Sequence, residues 1–167
     1  MRSMVNSKTK GSTAEREVAK IMTEATGYEW KRVPASGALF HSGHTEFHGD
    51  VYSDTNKDYE IEVKHHKEKF SFVDIFNSKG KIMKWWAKLI IECGDKQPML
   101  WVKICGKWTL FTKLSLIDLK QLNIYPTQCF IGMFNLQESN INYEEKTIRI
   151  FYFGSLKEAL RLVKKNE

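Results

Sequence analysis

Asp50, Glu62 and Lys64 carry the first chemistry legible in this chain: Asp50 stands in Gly49-Asp50-Val51, the others in Tyr59-Glu60-Ile61-Glu62-Val63-Lys64. On an extended strand successive side chains alternate faces, so Ile61 and Val63 point one way and Glu60, Glu62 and Lys64 the other. If Ile61 and Val63 cover a core, Glu62 and Lys64 project together beside the preceding strand, and a hairpin brings Asp50 within a few ångströms of them. Two carboxylates converging on one point repel unless a cation sits between them, and oxygen-only ligands favour a hard ion such as Mg²⁺ or Mn²⁺. Such an ion would polarise a phosphodiester and lower the pKa of a bound water, while Lys64 would orient that water or neutralise the phosphate. A Glu-x-Lys in isolation decides nothing, because the solvent face of an ordinary hairpin has the same pattern.

The elements that must position these groups follow from periodicity and turn chemistry. Residues 48–52 and 59–64 read as short strands, joined as a hairpin through the turn-rich Ser53-Asp54-Thr55-Asn56-Lys57-Asp58. Upstream, Ala14, Val18, Ile21, Met22 and Ala25 recur at helical spacing behind a Ser12-x-x-Glu15 capping box, and Gly27 ends the helix. Residues 28–33 read as a strand, followed by the turn Pro34-Ala35-Ser36-Gly37 and a polar loop to His48. Downstream, Ile82, Met83, Trp86, Leu89, Ile90 and Cys93 form the apolar side of a helix that stops at Gly94. Lys79, Lys81, Lys84 and Lys88 surround the rest of it, as a solvated face or a track for a nucleic-acid backbone. Strands are expected over 99–104 and 107–112 around a Cys105-Gly106 turn, then a short helix over 114–122, a strand over 147–153 and a closing helix opened by Ser155-x-x-Glu158. The predicted class is α/β, with a central mixed β-sheet flanked by α-helices in one domain over 11–167.

Length and composition bound the rest. The 167 residues are 42% hydrophobic, enough for one compact core and against a largely disordered chain. The apolar runs fall short of a bilayer span and the start lacks a secretory pattern, so a soluble cytoplasmic protein is expected. Lys and Arg total 26 against 20 Asp and Glu, a net charge of +6 that favours polyanionic partners. Residues 1–10 read as a flexible basic arm, touching phosphates or merely solvated. Cys93, Cys105 and Cys129 suit reduced core thiols, and His41, His44 and His48 lack a fourth ligand for zinc.

Taken in order, four segments resemble the PD-(D/E)xK nuclease superfamily, and within it the archaeal-type Holliday junction resolvases. They are Lys10-Gly11-Ser12-Thr13-Ala14-Glu15-Arg16-Glu17, Arg32-Val33-Pro34-Ala35-Ser36-Gly37, Gly49-Asp50-Val51 and Ile61-Glu62-Val63-Lys64, and the similarity covers roughly residues 8–113. Gly49 stands where the superfamily's name places proline. The resemblance implies a restriction-endonuclease-like nuclease core over 11–113, with 114–167 an extension beyond it. It implies a Mg²⁺-dependent homodimer that nicks four-way DNA junctions symmetrically, with Mn²⁺ able to substitute; the alternatives are another nuclease of the superfamily acting on flap, mismatch or duplex DNA, or a catalytically silent DNA-binding module. By resemblance Asp50 and Glu62 are metal ligands, the Val63 carbonyl a third, Lys64 the catalytic lysine, and Glu15 the first-helix acid that supports the metal directly or through water. Glu15 as a helix cap is the competing reading, and Glu17 flanks the same apolar face. Ser36 and Arg32 match groups that contact the scissile phosphate, against a plain turn and a solvated strand charge. Lys10, Arg16, Lys67 and Lys69 complete the expected nucleic-acid contacts.

Overall fold

The computed structural model describes residues 7–34, 49–66, 70, 72–75, 77, 80–133 and 147–154. The elements are α1 (Ser7–Thr26), β1 (Lys31–Arg32), β2 (Val51–Tyr52), β3 (Tyr59–Lys64), α2 (Phe72–Ile75), α3 (Lys81–Glu92), β4 (Gln97–Ile104), β5 (Lys107–Thr112), α4 (Leu116–Gln121), β6 (Gln128–Met133) and β7 (Thr147–Tyr152). The strands form one mixed sheet in the order β1-β2-β3-β4-β5-β7-β6. Among the strands of the described residues only β3 and β4 pair in parallel, and α3 makes the crossover between them that a parallel pair requires. This is the α/β architecture, a mixed sheet with flanking helices, of a restriction-endonuclease-like core.

Alternation along the central strands divides the core in two. Ile61 and Val63 of β3 with Met99 and Trp101 of β4 pack against Ala14, Val18 and Met22 of α1. Leu100, Val102 and Ile104 of β4 point to the opposite face and meet Ile82, Met83, Trp86, Leu89 and Ile90 of α3. The sheet is thus covered on both sides over its centre, which is why β4 is an almost unbroken apolar run. Trp85 also packs within the chain, edge-on to Phe70 at 5.5 Å between ring centroids. No helix among the described residues is long and apolar enough to cross a membrane.

Several boundaries depart from expectation. Helix α1 starts at Ser7 rather than Ser12, so residues 7–10 are helical and Ser12 lies inside the helix instead of capping it. A nucleus anchored by buried Ala14, Val18 and Met22 propagates through Lys8 and Lys10, good helix formers, and across the permissive Gly11. The first strand shrinks to β1 because the Trp30 backbone N–H and indole N–H donate to Thr23 Oγ1 and Thr26 Oγ1, which ties Trp30 to the end of α1 rather than to a neighbouring strand. Strand β6 was not anticipated: it is the outer partner of β7, where Gly132 interrupts the apolar run and few neighbours reinforce a strand signal. The expected closing helix after Ser155 and the loop holding His41, His44 and His48 lie outside the described residues.

Gly49 has φ +82°, and a Cβ there would lie 2.7 Å from the Ile61 carbonyl oxygen and 2.9 Å from Glu60 Oε1. Its place in the motif is therefore a backbone requirement for entering β2 against β3. Gly49→Ala is expected to destabilise the fold by about 1–3 kcal/mol. The check is a urea titration, in which the midpoint falls while the slope stays at the wild-type value.

Candidate active site

The site is assembled at the junction of β2 and β3. Val51 pairs with Ile61, and Asp50, just before it, donates its backbone N–H to the Ile61 carbonyl at 2.8 Å. The Asp50 carboxylate folds onto the same strand, Oδ2 accepting from the Val63 N–H at 2.8 Å. Asp50 is thus locked against β3 from both its backbone and its side chain, and Val33 N–H donates to the Asp50 carbonyl at 2.9 Å from the other side. Glu62 and Lys64 follow on alternate positions of β3 and form an ion pair, with Lys64 Nζ also 3.9 Å from Asp50 Oδ2. Asp50, Glu62 and Lys64 are brought together as the hairpin argument required.

The electrostatics are those of crowded carboxylates. Burial, then the Glu62 charge, raises the Asp50 carboxyl from 3.8 to about 7, against the opposing pull of Lys64 and the Val63 N–H. Burial alone would lower the Lys64 ammonium, but Glu62 and Asp50 outweigh it and hold its pKa above the ordinary value. Lys64 in this state is a cation, suited to neutralising phosphate charge rather than to accepting a proton. With Asp50 ionised, one ammonium against two carboxylates leaves net negative charge, which a bound cation would balance. The donor set is oxygen-only, and the place between the carboxylates already attracts a cation, so Asp50 and Glu62 fit a hard divalent ion. Val63 presents its side chain to the core at 6% exposure, so only its backbone can join them.

Glu15 and Arg32 form a second layer beside this pair. The Arg32 Nε–H donates to Glu15 Oε2, and the Glu15 charge acts on both Asp50 and Lys64. Glu15 is neither a helix cap nor turned onto Asp50 and Glu62, because Arg32 takes its carboxylate; among the described residues no three His, Cys, Asp or Glu side chains converge as a metal cluster. The Glu15 charge reaches the centre, where it adds to the rise of both the Asp50 carboxyl and the Lys64 ammonium. Glu17, the other candidate on that helix, is instead bonded to Lys103 at 2.7 Å.

Glu60, expected on the face of Glu62, is 2% exposed and held by Lys96 at 2.9 Å, at the far end of β3 from Lys64. Sequence alternation gave the face but not the covering of that end by the chain entering β4. Lys10 is partly buried on α1 and Arg16 exposed, while Ser36, Lys67 and Lys69 lie outside the described residues. Beyond β3 the face continues to His66, whose ring lies 5.8 Å from Phe70 and 6.1 Å from Trp85. Lys103 is a further charged residue at this end of the sheet, marked in the sequence as a lone charge following Met99 and Trp101 at alternate positions of an apolar strand.

A buried acid and the Glu-x-Lys strand, met by a first-helix glutamate, find their counterpart among known families. The family model described as "Phage putative PDDEXK endonuclease" matches residues 6–165, nearly the whole chain. The chain belongs to this phage endonuclease family. Protein D14 of Escherichia phage T5 is 34% identical over 114 residues, which cover 64% of this chain and 70% of that protein. No solved structure matches the chain. Nucleases of this superfamily generally use divalent metal ions, in keeping with the oxygen-donor pair found here.

The raised Asp50 pKa has a thermodynamic consequence. Between 3.8 and about 7 the folded protein holds a proton that the unfolded chain has released, so stability is greatest below that window and falls as pH rises through it. In EDTA the thermal midpoint of the wild-type protein should decline across this window, and Asp50→Asn should remove much of the decline. Parallel curves for the two proteins would show that Asp50 titrates normally.

Proposed function

We propose that this chain is a divalent-metal-dependent endonuclease that resolves four-way DNA junctions by paired phosphodiester hydrolysis, acting as a homodimer in the host cytoplasm. Mg²⁺ is the working ion, with Mn²⁺ a substitute. The observation that carries the nuclease reading is the meeting of Asp50, Glu62 and Lys64 at the β2–β3 junction, with one carboxylate fixed by the Val63 N–H. The junction substrate is supported by the ordered resemblance of residues 8–113 to archaeal-type resolvases and by the positive net charge of +6, which suits recognition of branched DNA through backbone and shape.

Asp50 and Glu62, with the Val63 carbonyl, would hold the ion. When bound, it supplies Lewis-acid polarisation of the phosphate and acidification of a water. The chain's own groups do the rest. Lys64 places a fixed ammonium beside both carboxylates, where charge grows on the phosphorane oxygens. Glu15 keeps Arg32 oriented at the rim, from which the guanidinium can engage a phosphate bidentately. Ser36, Lys10, Arg16, Lys67 and Lys69 are assigned to the flanking backbone. Two copies are needed because a symmetrical junction is resolved only when opposed strands are both cut.

The test is cleavage of a labelled immobile four-way junction beside matched duplex, flap and single strand, in Mg²⁺ and in EDTA. Paired symmetrical nicks on the junction are expected, abolished by EDTA and reduced at least ~10²-fold by Asp50→Asn or Lys64→Ala. Cutting of duplex or flap in preference would discard the junction substrate and keep the chemistry. Binding without cleavage in either Mg²⁺ or Mn²⁺ would sink the enzyme reading.

A further inference from the structure

Lys103 is the one position of β4 between Pro98 and Ile104 that is not buried, and it lies on the face opposite Lys64. The register pairs Lys64 with Val102, so Lys103 is one strand across and one residue further on, a Cα separation of roughly 6 Å from strand spacing and rise. The side chains depart to opposite faces, and the two ammonium groups straddle the same end of the sheet. Following Met99 and Trp101 of the α1-side core, Lys103 must carry its charge beyond that core. Its ammonium lies over Trp108, with Nζ 4.9 Å from the ring centroid, and Nζ bonds Glu17 Oε2 at 2.7 Å. His65 continues the α1-facing positions of β3, and burial first, then the charges of Lys10 and Lys103, lower its pKa against the pull of Glu17, so it adds no positive charge there. Lys103, Trp108 and Glu17 thus form a set where α1 meets the end of β4.

Nothing in the proposed chemistry uses this group. The Glu17 side chain is 43% exposed, and a half-exposed ion pair adds little stability, so a phosphate can exchange with the carboxylate at small cost. The aromatic ring positions the ammonium whichever anion it holds. We infer that Lys103, positioned by Trp108 and held in reserve by Glu17, binds a DNA backbone phosphate flanking the scissile one, as an anion subsite on the α1 face. This rests on the nuclease reading above.

The experiment measures binding of a labelled four-way junction by fluorescence anisotropy in Ca²⁺ across a KCl series, with the full chain and the variants Lys103→Gln, Lys103→Arg and Glu17→Gln. Loss of one phosphate contact should weaken Lys103→Gln about fivefold at low salt and cut the slope of log K against log salt by about 0.7–0.9. Lys103→Arg should restore both. Glu17→Gln should tighten binding at least about twofold, because it frees the lysine. Lys103→Gln and Glu17→Gln break the same ion pair, so a purely structural role predicts the same direction for both and would overturn the inference. An unchanged salt slope in Lys103→Gln would overturn it as well, leaving the nuclease reading intact if the wild type cuts DNA in Mg²⁺. A wild type that neither binds nor cuts DNA would remove both.

Discussion

The carboxylate of Asp50 accepting the Val63 backbone N–H is the contact on which the site depends. It converts a strand pairing into a chemical centre. The same residue gives its own N–H to Ile61, so Asp50 is fixed at two points along β3 and cannot drift from Glu62 and Lys64. The fixation is costly, since it buries an acid beside another acid, and the rise of the Asp50 pKa to about 7 expresses that cost. A site that holds like charges together against their repulsion is poised to take a cation, and local strain of this kind belongs to functional centres more than to frameworks.

Around that contact the sheet separates two duties by face. Ile61, Val63, Met99 and Trp101 give α1 its apolar seat, and Leu100, Val102 and Ile104 give α3 its own. Packing on both faces makes β3 and β4 a rigid pair; Glu62 and Lys64 sit on it, and Asp50, just before β2, is clamped against it. Charged or titratable residues appear where the apolar rows run out: Lys64 and His66 on one face, His65 and Lys103 on the other. The centre of the sheet supplies rigidity and its end supplies charge, which suits a polyanion lying across that end.

The paired ions around the centre follow a consistent order. Arg32 holds Glu15, Lys64 holds Glu62 and Lys103 holds Glu17, so each of these three partly buried cations has a carboxylate close by. In the absence of DNA these pairs limit self-repulsion in a basic chain. Partly solvated ion pairs exchange partners readily, so the same cations remain available to phosphates. The resting electrostatics and the substrate electrostatics are thereby built from one set of side chains.

Much of this was legible in the residues themselves. The alternation in Tyr59–Lys64 fixed the face of Glu62 and Lys64, and the helical period of Ile82 to Ile90 fixed the buried side of α3. These are short-range patterns, in which period and hydropathy leave one solution. Whether Glu15 or Glu17 faces the centre was not legible, because both flank the same apolar stripe, and only the approach of Arg32 from β1 and Lys103 from β4 separates them. Glu60 shared the parity of Glu62, yet Lys96 closes over it, a consequence of how β4 enters beside β3. The start of α1 and the outer strand β6 likewise depended on partners distant in sequence. Local pattern thus determined which residues share a face, whereas the tertiary structure decided which charges meet, because ion pairing turns on distances across elements that no spacing along the chain encodes.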